Sequence, residues 1–395
     1  MGVRIDVARW WDQAGMRELL TVLGAEQGLI RFVGGTVRDE LLGIPHADID
    51  LATRLDPTAV MDRLKTTKIK AIPTGIDHGT VTAVADGQPA EVTTLRADVS
   101  TDGRRATVEF TDDWMADASR RDFTINALYA DPETGEVHDY FGGLDDLKAH
   151  RVRFIGDPLT RIAEDHLRIL RFFRFHARFG DIKPDAAAIA ACAARANDLM
   201  ALSRERIADE LMKLLALADP SATVELMIER GIFVPVLPEI TSAEHLRSLL
   251  AAEKEGGFEP DPLRRLAVLL PRDAATAGAI AARLKLSNKA RKRIGLAVGT
   301  DLSGSPQSLA YWIGTESAID RLLLAGRASD ARKIRDWEVP RLPVGGGDLI
   351  KLGITQGPLV AKTLQAIEQA WVAEQFPRGD AFAAIVTKAV NSETR

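Results

Sequence analysis

Between residues 146 and 157 the apolar residues change their period, and that change restricts the chain to few architectures. Before it, short runs rich in β-branched and aromatic residues alternate with turn signals, at 30–33, 48–52, 80–85, 90–95, 107–110 and 125–130. Helical patterns separate several of these runs. Beyond it, alanine and leucine recur at three- and four-residue steps, with breaks at Asp219-Pro220, Gly256-Gly257, Pro260 and Gly345-Gly346-Gly347. Strands gathered at one end and helices at the other predict an α+β chain, a small mixed-sheet head followed by an all-helical remainder. No repeat of fixed period interrupts this plan.

At 395 residues the chain exceeds one ordinary domain, and 46 % apolar content supplies a core without covalent staples. The single cysteine, Cys192, excludes an internal disulfide and a multi-cysteine zinc site, as expected in a reducing cytoplasm. It lies in an alanine-rich run and reads as a small buried helix residue. Around Arg4, Asp6 and Arg9 no apolar run is long enough for a signal peptide or membrane span, so a cytoplasmic, membrane-free protein is expected. The net charge of −5 means that any nucleic-acid site must be a local patch. Two runs free of acidic residues qualify, 168–178 and 283–293, the latter with Lys289, Arg291 and Arg293; a solvated helix face explains either one alone equally well.

Two constellations carry chemistry. Val33-Gly34-Gly35-Thr36-Val37-Arg38-Asp39 follows a predicted strand. Glycines there let backbone approach a ligand, the amides opening the next helix point at an anion, and Arg38 adds a charge-assisted contact. A turn requirement alone also explains the pair. Further on, Asp48-Ile49-Asp50 sits in a short strand, so Asp48 and Asp50 share one face while Ile49 points inward. Adjacent carboxylates repel unless a cation lies between them, and Mg²⁺ prefers such oxygen ligands; two solvated aspartates on an edge strand are the alternative.

These residues, taken with Arg120-Arg121-Asp122-Phe123-Thr124-Ile125-Asn126-Ala127 and Glu164-Asp165-x-x-Arg168, resemble the ordered motifs of the class II tRNA nucleotidyltransferases. That family lies in the polymerase-β-like superfamily and includes bacterial poly(A) polymerases. The resemblance covers about residues 30–215, and Gly347-Asp348-Leu349 with Leu352-Gly353-Ile354 is similar to the tail of bacterial members. It implies a catalytic head at 1–146, a base-recognising neck at 147–217, and a tRNA-binding body and tail at 218–395. It further implies Mg²⁺ held by Asp48 and Asp50 for a two-metal displacement, and nucleotide contacts from Gly35, Arg38 and Arg121. CTP, ATP and the tRNA 3′ end are the implied partners, with no protein partner. Glu91 is either a third carboxylate or a surface ion-pair residue, and His78 reads as a turn or core residue.

Asp165 and Arg168 fall three residues apart on the helix expected after Asp157-Pro158 and share a face, where they either pair with each other or, as the resemblance implies, read the incoming base. Arg171 and Arg174 continue that stripe toward phosphates or base, with Phe172, Phe173 and Phe175 as the packing face. Residues 97–115, with Arg104 and Arg105, read as a projecting hairpin or mobile loop. The stretch 64–71 lacks the double arginine common in poly(A) polymerases, which favours CCA addition. CC- or A-adding specialists share these motifs and stay open. An inactive tRNA-binding relative would be expected to have lost Asp48 or Asp50.

Overall fold

Alternation of apolar and polar residues fixes how the head is layered. In β1 (Ile30–Val33) Ile30 and Phe32 are buried while Arg31 reaches the surface, and β2 (Ile49–Thr53) buries Ile49 and Leu51 around a half-buried Asp50. The computed structural model describes residues 2–45, 49–101, 106–181 and 183–393, with the side chains of 98–101 and 106–108 left aside. Five further strands complete the main sheet: β3 (Lys70–Gly75), β4 (Thr80–Ala85), β5 (Gln88–Thr94), β8 (Leu128–Ala130) and β9 (Val137–Asp139). Their order is β3-β4-β5-β2-β1-β8-β9, and among these neighbours only β2 and β5 run parallel. A separate hairpin, β6 (Arg96–Thr101) with β7 (Ala106–Phe110), begins one residue before the segment 97–115 read as a projecting hairpin or mobile loop and otherwise lies within it. Arg104 and Arg105 lie outside the described residues.

The chain divides into two compact units: Met1–Ser203 with Glu229–Val236, and Arg204–Ile228 with Leu237–Arg395. In the first, the sheet is followed by helices Pro158–Glu164, Arg168–Phe179 and Ala186–Ala194. Phe172 and Phe173 are fully buried, with Phe172 stacked on Phe154 at 5.7 Å, so the phenylalanines do form the packing face. Cys192 is also buried, and burial pushes its thiol pKa up.

Helices build the second unit around a buried ionic lattice. Glu253 accepts from Arg264 and Arg265 at 2.8 Å each, and Asp320 accepts from Arg264 at 2.8 Å and Arg293 at 2.6 Å. Of the run at 283–293, read either as an RNA patch or as a solvated helix face, Lys289 and Arg291 are exposed, whereas Arg293 fits neither reading and turns inward to Asp320 and Asp261. Its stem follows the inner face of helix Asn288–Ala297 beside buried Ala290 and Ile294. Downstream, Leu349, Ile354, Ile367, Trp371, Val372 and Ile385 form a small separate core. Among the described residues no helix is long and apolar enough to cross a membrane.

Candidate active site

The Gly34-Gly35 turn carries the chain from β1 into helix Gly35–Leu41. Gly34 adopts φ +64°, a region that a side chain disfavours. At Gly35 an added Cβ would stand in ordinary contact, 3.9 Å from Asp50 Oδ2 and 3.5 Å from an Arg38 nitrogen, so what this position shows is how near Asp50 comes to the helix start. The Thr36 hydroxyl accepts from the Asp50 amide at 2.8 Å, which fixes this helix start against β2.

Arg38 lies one turn further on, almost fully buried between rings, its guanidinium 4.2 Å from the Phe179 centroid. Burial lowers its pKa, while Asp39, accepting at 2.8 Å, works the other way. Its other edge donates to Asn126 Oδ1, and the Asn126 amide donates to Asp122 at 3.0 Å. Asp122 in turn accepts from Arg171 Nε at 2.7 Å. Burial opposes the Asp122 charge, yet Arg171 and these donors hold its pKa below the usual carboxylate range. A continuous polar chain thus joins helix Gly35–Leu41 to helix Arg168–Phe179.

A second network holds Arg121. Its Nε donates to the Tyr129 hydroxyl at 3.0 Å and its Nη2 to Asp117 at 3.1 Å, and these partners outweigh burial and raise its pKa. Asp117 is buried too, but Arg121, Arg120 and the Tyr129 hydroxyl overcome desolvation and hold it at about 2. Both groups keep their charges at neutral pH.

Gly35, Arg38, Asp50, Arg121, Asp165, Arg168 and Arg171, all expected from the sequence, line one cleft of about 550 Å³. Arg174 does not line it; its guanidinium lies 4.5 Å over Phe175. Asp48 lies outside the described residues. The cleft also contains Gly34, the other member of the glycine pair read as approaching a ligand, and Arg96, Arg120, Asp122, Asn126 and Phe175, to which the sequence reading gave no place in the site. The run Arg120-Arg121-Asp122 with Asn126 carried the available signal for three of these five. His78 closes a short turn, Ile76–His78.

The single helix expected through Asp165 and Arg168 is not present. Helix Pro158–Glu164 begins on an Asp157 cap, and the chain then leaves helical geometry at Asp165, φ −150°, ψ 108°. A new helix opens at Arg168. Asp165 Oδ1 accepts from the Leu167 amide at 3.1 Å, and the ion pair of Arg168 is with Glu164.

Divalent metal is the natural test of the carboxylates. Glu91 stands directly beside Asp50 in the parallel β2–β5 register and is exposed, so two carboxylates share one sheet face, with Asp50 the one that approaches Gly35. Hard carboxylate donors, space beside them and no soft ligand fit such an ion. Among the described residues no group of three acidic, histidine or cysteine side chains gathers as a metal site.

A carboxylate strand beside a Gly-Gly helix start, ringed by arginines, defines a nucleotidyl-transfer head of the polymerase-β-like kind. Residues 30–153 match the poly A polymerase head domain, and 182–244 match the probable RNA and SrmB-binding site of polymerase A. The chain is 35 % identical to the mouse mitochondrial CCA tRNA nucleotidyltransferase 1, across 90 % of this chain and 86 % of the relative. It is 34 % identical to the CCA-adding enzyme of Lacticaseibacillus paracasei, across 88 % of each. The Bacillus stearothermophilus CCA-adding enzyme, solved with CTP, superposes with TM-score 0.76 at 27 % identity, covering 96 % of this chain and 99 % of that one. The chain belongs to the CCA-adding tRNA nucleotidyltransferase family.

Proposed function

We propose that this protein transfers CMP and AMP from CTP and ATP to the tRNA 3′ end, building or repairing CCA without a nucleic-acid template. The primer 3′ oxygen bonds to the α-phosphorus as the bond to pyrophosphate breaks. The observation that carries the reading is the approach of Asp50 to the Gly35 helix start, inside a cleft whose cationic groups include Arg96, Arg120, Arg121, Arg168 and Arg171. Asp50, with Asp48, would hold Mg²⁺. When bound, the ions lower the pKa of the 3′ hydroxyl and neutralise the leaving pyrophosphate. Arg121, held in place by Asp117 and the Tyr129 hydroxyl, faces the triphosphate, while Arg38 sets the helix start through Asn126 and Asp39.

Asp165 and Arg168 face the base. An ionised aspartate only accepts hydrogen bonds and an arginine only donates, so together they require a donor beside an acceptor on the base edge. Cytosine offers N4–H₂ next to N3, and adenine N6–H₂ next to N1. Uracil and guanine present the reverse order and leave buried groups opposed. Exposed Lys289 and Arg291 on the second unit offer phosphate contacts to tRNA. The division of labour in this reading is catalysis and base choice before about residue 217 and tRNA binding beyond it, and a reducing compartment such as the cytoplasm suits Cys192.

Purified protein incubated with tRNA transcripts ending at the discriminator base, C, CC or CCA, each with CTP, ATP or both, tests the reading. Stepwise completion to CCA and then a halt is the expected result. Runs of A, or a halt after CC, would replace it with a poly(A) or partial activity.

A further inference from the structure

Arg161, on helix Pro158–Glu164, is 8 % exposed and is not one of the residues lining the cleft. One edge of its guanidinium donates to the backbone carbonyl of Arg121 at 2.8 Å and to that of Arg120. The other meets both oxygens of Glu164, at 2.8 and 2.6 Å. Arg168 uses the same acceptors: its Nη1 is on Glu164 and its Nη2 on the Arg120 carbonyl at 3.1 Å. Arg168 also donates to the carbonyl of Arg161 itself at 2.8 Å. Two guanidiniums therefore share a carboxylate and a carbonyl, and the resulting ring ties the chain break at Asp165 to the segment bearing Arg120 and Arg121.

Only arginine suits this position. Its planar fork serves a carboxylate on one side and two successive carbonyls on the other, whereas a lysine ammonium presents its donors from a single point. Nothing in the ring requires Arg161 to touch substrate. What the ring fixes is the spacing between the Asp165–Arg168 edge and Arg121.

We propose that Arg161 is a specificity-positioning residue, which sets the distance between the groups reading the base and the arginine facing the triphosphate, so that one nucleotide engages both in a single register. This rests on the base-reading assignment made above. Releasing the ring lets Glu164 and Arg168 shift together, so the pocket loses discrimination between bases before it loses chemistry.

The test compares wild type, Arg161→Lys and Glu164→Gln in single-nucleotide extension of tRNA, with CTP and UTP in competition, alongside thermal melts and tRNA binding. Arg161→Lys should raise UTP incorporation relative to CTP by about tenfold, within the range a bidentate base contact supplies. Its KM for CTP should rise more than its kcat falls, with melting temperature and tRNA affinity close to wild type. Glu164→Gln, which weakens the same ring from its other member, should show the same laxity. Selection as strict as wild type in both variants, loss through kcat alone, or failure of both to fold would overturn the proposal. The wild-type arm separates the two readings: a wild type that does not choose C and A refutes the proposed function, whereas strict wild type with strict variants refutes only Arg161.

Discussion

Glu164 ends one helix, Arg168 opens the next, and their side chains close on each other across the break. Arg168 therefore keeps a charged partner that does not depend on Asp165, while Asp165 lines the cleft. Replacing Asp165 by Ala should leave the fold intact and relax base choice, so that UTP and GTP are incorporated measurably beside CTP, at a reduced overall rate. The drop in discrimination should be on the order of 1–3 kcal/mol. Competitive incorporation assays at saturating tRNA measure it, and a variant as strict against UTP as the parent would move the base-reading role to Arg171 and its neighbours.

Asp50 should behave differently, because its effect does not depend on which base enters. Asp50→Asn keeps the side-chain shape and the main-chain bond to Thr36, so melting temperature and tRNA binding should stay near the parent's. Addition of C and of A should fall together, by about a thousandfold or more if several kcal/mol of metal-assisted stabilisation disappear. Activity above a few per cent, or selective loss of one base, would contradict the assignment.

The parts of this architecture legible in the sequence were those set by local period. β1 and β4 alternate buried with less buried residues and fall where the pattern puts them. β3 is an edge strand with mixed exposure and Pro73 inside it, so it offers no alternation to read. The run 125–130 divides into a short turn, Thr124–Asn126, and β8, because Asn126 is taken up between Arg38 and Asp122. The break at Asp165 has no glycine or proline to announce it. It accompanies hydrogen bonds from Arg161 and Arg168 to carbonyls some forty residues earlier in the chain, which spacing along a helix cannot reveal. The inward turn of Arg293 depends in the same way on Asp320, a distant partner.

That inward turn separates two effects that a charge run would merge. Reversing Lys289 and Arg291, both exposed, should weaken tRNA binding and flatten the dependence of log affinity on log salt, by up to about one unit of slope for each phosphate no longer neutralised. Stability should barely change. Arg293→Ala should instead leave Asp320 and Asp261 short of a partner inside the unit, at a cost of roughly 3 kcal/mol or more. Binding titrations across a salt series, paired with denaturant melts, distinguish the two, and an unchanged slope in the double reversal would place the RNA path elsewhere.

Asp117 links the cleft to acid stability. Its carboxylate accepts from Arg120 at 2.6 Å, Arg121 at 3.1 Å, the Tyr129 hydroxyl at 2.6 Å and the Arg96 amide at 3.2 Å, so it joins the start of β6 to two cleft arginines. Burial disfavours the charge, but these partners prevail and hold the folded pKa at about 2, below the unfolded value. The folded state therefore binds this proton less readily than the unfolded chain. The stabilisation is fully present above the unfolded pKa, near 4, and is lost as pH falls through about 2. It amounts to roughly 2 kcal/mol. Asp117→Asn should remove this share of the acid dependence between pH 4 and 2. At pH 7 it should also destabilise the head, because Arg120 and Arg121 lose their common partner, and the KM for CTP should rise as Arg121 loses its anchor. Denaturant unfolding of parent and variant at pH 7, 4 and 3 reads the first effect, and initial-rate kinetics at pH 7 read the second. Parallel acid profiles in the two proteins would mean that Asp117 is not held ionised by these arginines, and the placement of Arg121 would rest on the Tyr129 hydroxyl instead.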